Sequence, residues 1–185
     1  MTDLLIFKQD ELPEKWHHQI LSFQRIVWPE GFVNENLYRD WITKPEDNPV
    51  SILLTHENLL ISHVQVVSRT ITHLADEFKF YGLTGVLTYP SFRKQGYGKQ
   101  IVQEGMKYID EQADKDIVLF SCEEKNFSFY QKCGWNFNDV PILEGDESDP
   151  KLTNSRVAMQ FVSDKAKQYQ QQFVESPLFF GDELW

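Results

Sequence analysis

An α/β chain of the α+β kind, with a mixed and mostly antiparallel sheet flanked by helices, is the fold class this sequence predicts. Three observations predict it. Residues 50–55, 59–68 and 78–88 are rich in β-branched and aromatic side chains, and "HEN" between the first two suits a hairpin turn, so these read as neighbouring antiparallel strands. Apolar residues recur at helical spacing over 14–27 and again after a loop containing Gly96 and Gly98. Residues 117–122, "IVLFSC", are almost continuously apolar, which is the pattern of a central strand buried on both faces.

Each element follows in chain order. Leu4, Leu5, Ile6 and Phe7 read as a strand; no basic region precedes them and no small-residue cleavage site follows, so they do not form a signal peptide. A cytoplasmic protein is expected. Pro13 suits a first helical turn, and Trp16, Ile20, Phe23 and Val27 give 14–27 one apolar face. Leu37, Tyr38 and Trp41 predict a second, shorter helix, and "TKPEDNP" breaks it with a loop. Further along, Ile101, Gly105, Ile109 and Ala113 form a stripe beside Val102 and Met106, predicting a helix from near Gly98 to about Gln112. Residues 126–132 fit a short helix stopped by Gly134, and 156–162 fit another strand.

The 185 residues fit a single domain spanning 1–185. Eighteen basic against 28 acidic side chains give a net charge of −10, which opposes binding to nucleic acid. No window has the eighteen apolar residues of a membrane span, so neither nucleic acid nor membrane is expected as a partner. Cys122 and Cys133 show neither CxxC nor Cys/His spacing, and the adjacent His17 and His18 point different ways on a helix. No metal is expected. His63, inside a strand, reads as a packed imidazole, and Glu123 and Glu124 read as solvated charges at a strand end.

Chemistry concentrates in "TYPSFRKQGYGKQIVQEG", residues 88–105. A strand end, a loop with Gly96 and Gly98 and a helix start point several backbone N–H groups at one spot, where the first helical turn carries partial positive charge. Arg93, Lys94 and Lys99 add charge-assisted contacts, so a diphosphate fits better than one carboxylate. The GxxxxGKS/T of a P-loop is missing, and the single GxG lacks the earlier glycine of a dinucleotide fingerprint.

"RKQGYG" after "VLTYPSF" resembles the coenzyme A pyrophosphate loop of the GCN5-related N-acetyltransferase (GNAT) family. Downstream, "IVLFSCEEKNFSFYQKCGW" is similar to that family's next strand and short helix, with Asn126, Tyr130 and Gly134 at its intervals. The resemblance implies a GNAT fold, a twisted sheet splayed at the coenzyme site around a bulge that Gly82 and Gly85 would permit. It also implies acetyl-CoA as acyl donor, with the pantetheine arm paired to the backbone of Val86 and Thr88. Arg93 and the N–H groups of Lys94, Gln95, Gly96, Tyr97, Gly98 and Lys99 would meet the pyrophosphate, with Asn126 a further coenzyme contact. Tyr130 falls where the family places the general acid, a phenol that keeps its proton at neutral pH.

"VSRTITH", "YGLTGVLTYPSFRKQGYG", "FYQKCGW" and "GDELW" are further similar to segments of aminoglycoside 2′-N-acetyltransferases. That likeness implies a small-molecule amine acceptor of aminoglycoside-like character, contacted by Asp40 of "YRDW", by Asp182 and by the carboxylate of Trp185. Thr84 stands where those enzymes carry a glutamate that deprotonates the amine, and threonine cannot do so. The amine would then arrive deprotonated from solution, or another carboxylate would serve. The expected activity is acetyl transfer to a primary amine by direct attack in a ternary complex. The alternative that Thr84 motivates is a non-catalytic acyl-CoA-binding regulatory module, and a homodimer is the other partnership considered.

Overall fold

In the computed structural model the described residues are 2–182, 184 and 185; Met1 and Glu183, the latter within the terminal "GDELW", lie outside them. The chain divides into two compact units, one formed by the residues up to Val67 with Thr84–Met106, the other by Ser68–Leu83 with Lys107–Trp185. Among the described residues no helix is long and apolar enough to cross a membrane.

In the first unit β1 (Asp3–Lys8) is an edge strand whose outward side chains stay exposed, and it runs antiparallel to β2 (Val50–His56) with Leu5 opposite Leu53. β2 turns through Glu57, which has a left-handed φ of 54°, into β3 (Leu59–His73), again antiparallel, with Leu53 opposite His63. Residues 60–68 of β3 are all buried, as a strand covered on both faces requires. α1 (Glu14–Val27) forms as its spacing predicts and lays Trp16 and Ile20 onto Leu53, Leu60 and Leu87 to make the core of this unit. Burying side chains of this size stabilises by about 1.5–3 kcal/mol each.

The shorter helix expected around Leu37, Tyr38 and Trp41 does not form. The segment holds a single 3₁₀ turn over Asn34–Asn36 and then irregular backbone. Arg39 accounts for this by stacking its guanidinium between Phe32, at 4.1 Å, and Trp41, at 4.3 Å. Positions i and i+2 do not share a helix face, so that sandwich needs a non-helical chain. The Leu37 carbonyl, which residue 41 would need in a helix, accepts instead from Arg25 Nη2 at 2.7 Å.

In the second unit β4 (Asp76–Thr88), through its first half, pairs in parallel with β5 (Ile117–Cys122) at Phe80–Ile117 and Tyr81–Val118. β5 runs antiparallel to β8 (Arg156–Phe161), so it is an interior strand, and residues 117–120 are at most 1% exposed. A small second sheet joins β6 (Ile142–Glu144) to β7 (Lys151–Leu152) and, in parallel, to β9 (Leu178–Gly181). The sheets are thus mixed and mostly antiparallel.

α2 (Tyr97–Asp110) follows the glycine loop and stops two residues short of the expected end, while α3 (Phe127–Lys132) is one short helix closed by Gly134 at φ 102°. α4 (Asp164–Glu175) is an element that the sequence reading left unassigned. Its start carries a legible signal, since Ser163 at the N-cap accepts from the Ala166 N–H at 3.0 Å. Its buried Phe173 sets its ring against Phe78, Phe161 and His73.

Candidate functional site

The predicted anion loop lies in the first unit and is built from backbone. β4 ends at Thr88, a 3₁₀ turn spans Pro90–Phe92, and α2 starts at Tyr97. Between them Lys94 (φ 61°) and Gly96 (φ 91°) both take left-handed backbone, which turns successive N–H groups into a concave arrangement. Among the described residues none accepts a hydrogen bond from the N–H of Lys94, Gln95, Gly96, Tyr97, Gly98 or Lys99. Six consecutive donors therefore stand open. Space stands open too: a Cβ added at Gly96 would meet nothing within 4 Å. Arg93, Lys94 and Lys99 are exposed. Arg93 is also anchored, its Nε donating to the Thr88 carbonyl at 3.1 Å, and Gln95 Nε2 donates to the Ser91 carbonyl at 2.9 Å.

β4 just before the loop is irregular. Gly85 adopts φ 60°, a left-handed residue inside a strand, which is the backbone that a glycine-type bulge uses. Its carbonyl lies 2.9 Å from His63 Nδ1; a carbonyl can only accept, so this nitrogen carries the proton. Ser62 Oγ donates to the Leu87 carbonyl at 2.7 Å, and Thr88 Oγ1, 2.8 Å away, must then donate to Ser62. Thr84, Val86 and Thr88 are half-buried in this stretch. Asp40, in the same unit, is exposed beside the Arg39 stack.

His63 is fully buried, and burial pushes its pKa down to about 4, against a smaller opposing effect of the bond to Gly85. This makes a stability prediction. At pH 7 the folded and unfolded chains both hold neutral imidazole at this position; below pH 6.5 the unfolded chain takes up a proton that the folded one refuses. Stability should therefore fall with pH between 6.5 and about 4, by about 3 kcal/mol from this group. Urea unfolding at pH 7 and pH 4.5 checks it. His63→Asn should lose about 2–3 kcal/mol less over that interval than the unaltered chain, and an equal loss would refute the assignment.

In the second unit Tyr130 is buried on α3 with its ring 4.5 Å from that of Phe120 on β5. The last turn of α3 is held by Cys133 and Trp135, whose N–H groups both donate to the Tyr130 carbonyl. Burial first, and then neighbouring Cys122 and Cys133, hold the phenol well above its ordinary pKa, and no hydrogen bond contributes to that shift. Such a group keeps its proton throughout the neutral range and can donate it to a stronger base. Asn126 is exposed at the N-cap of α3, where its side chain makes no capping bond.

Asp182 is exposed at the end of β9. Trp185 is buried, its indole 4.9 Å from the Phe180 ring and beneath the Arg69 guanidinium, and its main-chain oxygen accepts from the Ser121 N–H. The indole also lies over Gly82, where an added Cβ would come within 2.5 Å of Trp185 Cε3. Sequence reasoning singled out Gly82 and Gly85 but missed what holds each of them. For Gly85 a signal was present in the polar pair Ser62–His63 inside an otherwise apolar strand.

Comparison with known proteins adds a family. A family profile described as "Acetyltransferase (GNAT) domain" matches residues 7–137. Among solved structures, Escherichia coli ElaA is similar at 14% identity and TM-score 0.60, over 86% of this chain and 98% of that one. Arabidopsis thaliana NAA60 in complex with acetyl-CoA is similar at 13% identity and TM-score 0.60, over 86% and 99% of the two chains. An aminoglycoside 6′-N-acetyltransferase complexed with coenzyme A matches at 12% identity and TM-score 0.59, over 85% and 96%. At these identities the likeness shows the fold. A search of curated proteins finds no match to the sequence.

Proposed function

The chain belongs to the GNAT acetyltransferase family, and from that premise we propose that it moves the acetyl group of acetyl-CoA to a primary amine of a small molecule. The observation that carries the reading is the run of six open N–H donors from Lys94 to Lys99, flanked by three cationic side chains. That donor set fits the two adjoining phosphates of the coenzyme. The left-handed Gly96 lets a phosphate approach the backbone without meeting a side chain.

The donor supplies a thioester carbonyl, already activated toward amines. Forming the new C–N bond breaks the C–S bond, and the departing sulfur takes a proton as the amine loses one. Tyr130 is assigned the first proton, which its buried phenol still carries at neutral pH. Val86 and Thr88 are assigned the pantetheine arm through their backbone, beside the left-handed Gly85. The Thr88 carbonyl already accepts from Arg93, so its second lone pair or the Thr88 N–H would serve. Thr84 holds no base, and the acceptor is assigned to bind as the neutral amine. Exposed Asp40 and Asp182 support an acceptor carrying several amines, of which an aminoglycoside-like sugar is one kind.

Release of free thiol from acetyl-CoA, followed across aminoglycosides, polyamines, amino acids and peptides, tests this. Turnover with any amine supports the reading, and turnover with a 2′-amino aminoglycoside identifies the acceptor class. Measurable acetyl-CoA binding without thiol release across the panel would favour a non-catalytic acyl-CoA-binding module, the reading that Thr84 motivates. In Gly96→Ala a methyl enters the open space over the loop and meets an unfavourable φ, so acetyl-CoA binding should weaken about tenfold. Unchanged affinity by calorimetry would remove the loop from the site.

A further inference from the structure

We infer that His63 is a positioning residue for the proposed transfer: its Nδ1–H, held on the Gly85 carbonyl, sets the left-handed turn in β4 that aims the backbone of Val86 and Thr88. The inference rests on the coenzyme reading above and deepens it by naming what prepares the strand for the pantetheine arm.

Gly85 is the point of departure. A left-handed residue inside a strand turns its carbonyl away from the regular ladder, and this half-buried carbonyl takes its donor from a side chain. His63 Nδ1 supplies it at 2.9 Å. Crowding does not explain the glycine, because a Cβ there would meet Gln24 Nε2 at 3.4 Å and His63 Cε1 at 3.5 Å, which are ordinary contacts. Its backbone conformation explains it.

Ser62 makes a matching contact. Consecutive strand residues point to opposite faces, and Ser62 donates from the other face of β3 to the Leu87 carbonyl at 2.7 Å. Two adjacent side chains of β3 thus hold the two carbonyls that flank Val86. The Val86–Thr88 backbone is fixed in direction before any ligand arrives, which lowers the ordering that binding would otherwise require.

Catalysis by His63 itself is excluded by its surroundings. The ring is fully buried, and Nε2, which carries the lone pair in this tautomer, meets no donor among the described residues. A base must reach the proton it removes.

The test measures binding of acetyl-CoA and of 3′-phospho-ADP, the coenzyme's nucleotide half without pantetheine, to the full chain and to three variants. His63→Leu removes the donor and should weaken acetyl-CoA about tenfold while leaving 3′-phospho-ADP within about twofold. His63→Asn can return an N–H near the Nδ1 position and should recover most of the loss. Gly85→Ala disturbs the same turn from the other side and should reproduce the His63→Leu pattern, which keeps the inference testable should His63→Leu fail to fold. Equal acetyl-CoA affinity in all three variants, or loss of both ligands in parallel, would overturn the positioning role. An unaltered chain that binds neither ligand would instead remove the coenzyme reading, and the inference with it.

Discussion

Tyr130→Phe is expected to lower turnover by on the order of a hundredfold or more, while acetyl-CoA affinity stays within about twofold. The argument starts from what the hydroxyl does in the resting protein. Its raised pKa is caused by burial and the two nearby cysteines, with no hydrogen-bond contribution. Removing it therefore strands no partner, and the ring packing against Phe120 and Phe129 remains. The thermal midpoint should move by no more than a few degrees, and a loss of activity would then be a loss of chemistry. Steady-state rates measured from pH 6 to pH 9.5 add a second check. In the unaltered enzyme the rate should rise with pH as the acceptor amine becomes neutral, without a falling limb from the phenol. The variant should keep that shape at reduced amplitude. Full activity across this range would show that Tyr130 is not the acid.

Gly82→Ala is expected to destabilise the protein by about 3 kcal/mol or more, at the upper end of overpacking costs. A Cβ on Gly82 would fall deep inside the van der Waals envelope of the Leu119 carbonyl oxygen, and would also strike the Trp185 indole at 2.5 and 3.2 Å. The two obstacles differ in kind. An indole is a side chain and can rotate away, whereas the Leu119 carbonyl is backbone of an interior strand bonded to β8 through Met159. The backbone obstacle should dominate. Trp185→Ala in the Gly82→Ala background should accordingly restore only a minor part of the loss. For a chain of this size 3 kcal/mol corresponds to a fall in thermal midpoint of about 6–12 °C. A midpoint within 2 °C of the unaltered protein would mean that β4 and β5 do not approach as closely as described.

Much of this molecule is legible from neighbours in the sequence. Trp16 and Ile20 share one face because helical spacing puts them there, and "IVLFSC" becomes an interior strand because its continuous apolarity requires cover on both faces. The backbone of the glycine loop is legible for the same reason: positive φ at Gly96, a helix start and three cations are all encoded within seven residues. The Leu37–Trp41 segment misled because its apolar spacing is local while the Arg39 stack that shapes it also depends on Phe32.

Contacts between residues distant in the chain were decided only in three dimensions. Nothing near His63 in sequence says which ring nitrogen holds the proton; that follows from the Gly85 carbonyl, which the fold brings to 2.9 Å. Nothing near Gly82 announces the indole of Trp185 or the Leu119 carbonyl against it. Periodicity and backbone chirality are properties of adjacent residues and can be read along the chain. Tautomer, acidity and the room left for a single methyl depend on which distant groups share a volume, and no local pattern carries that distance.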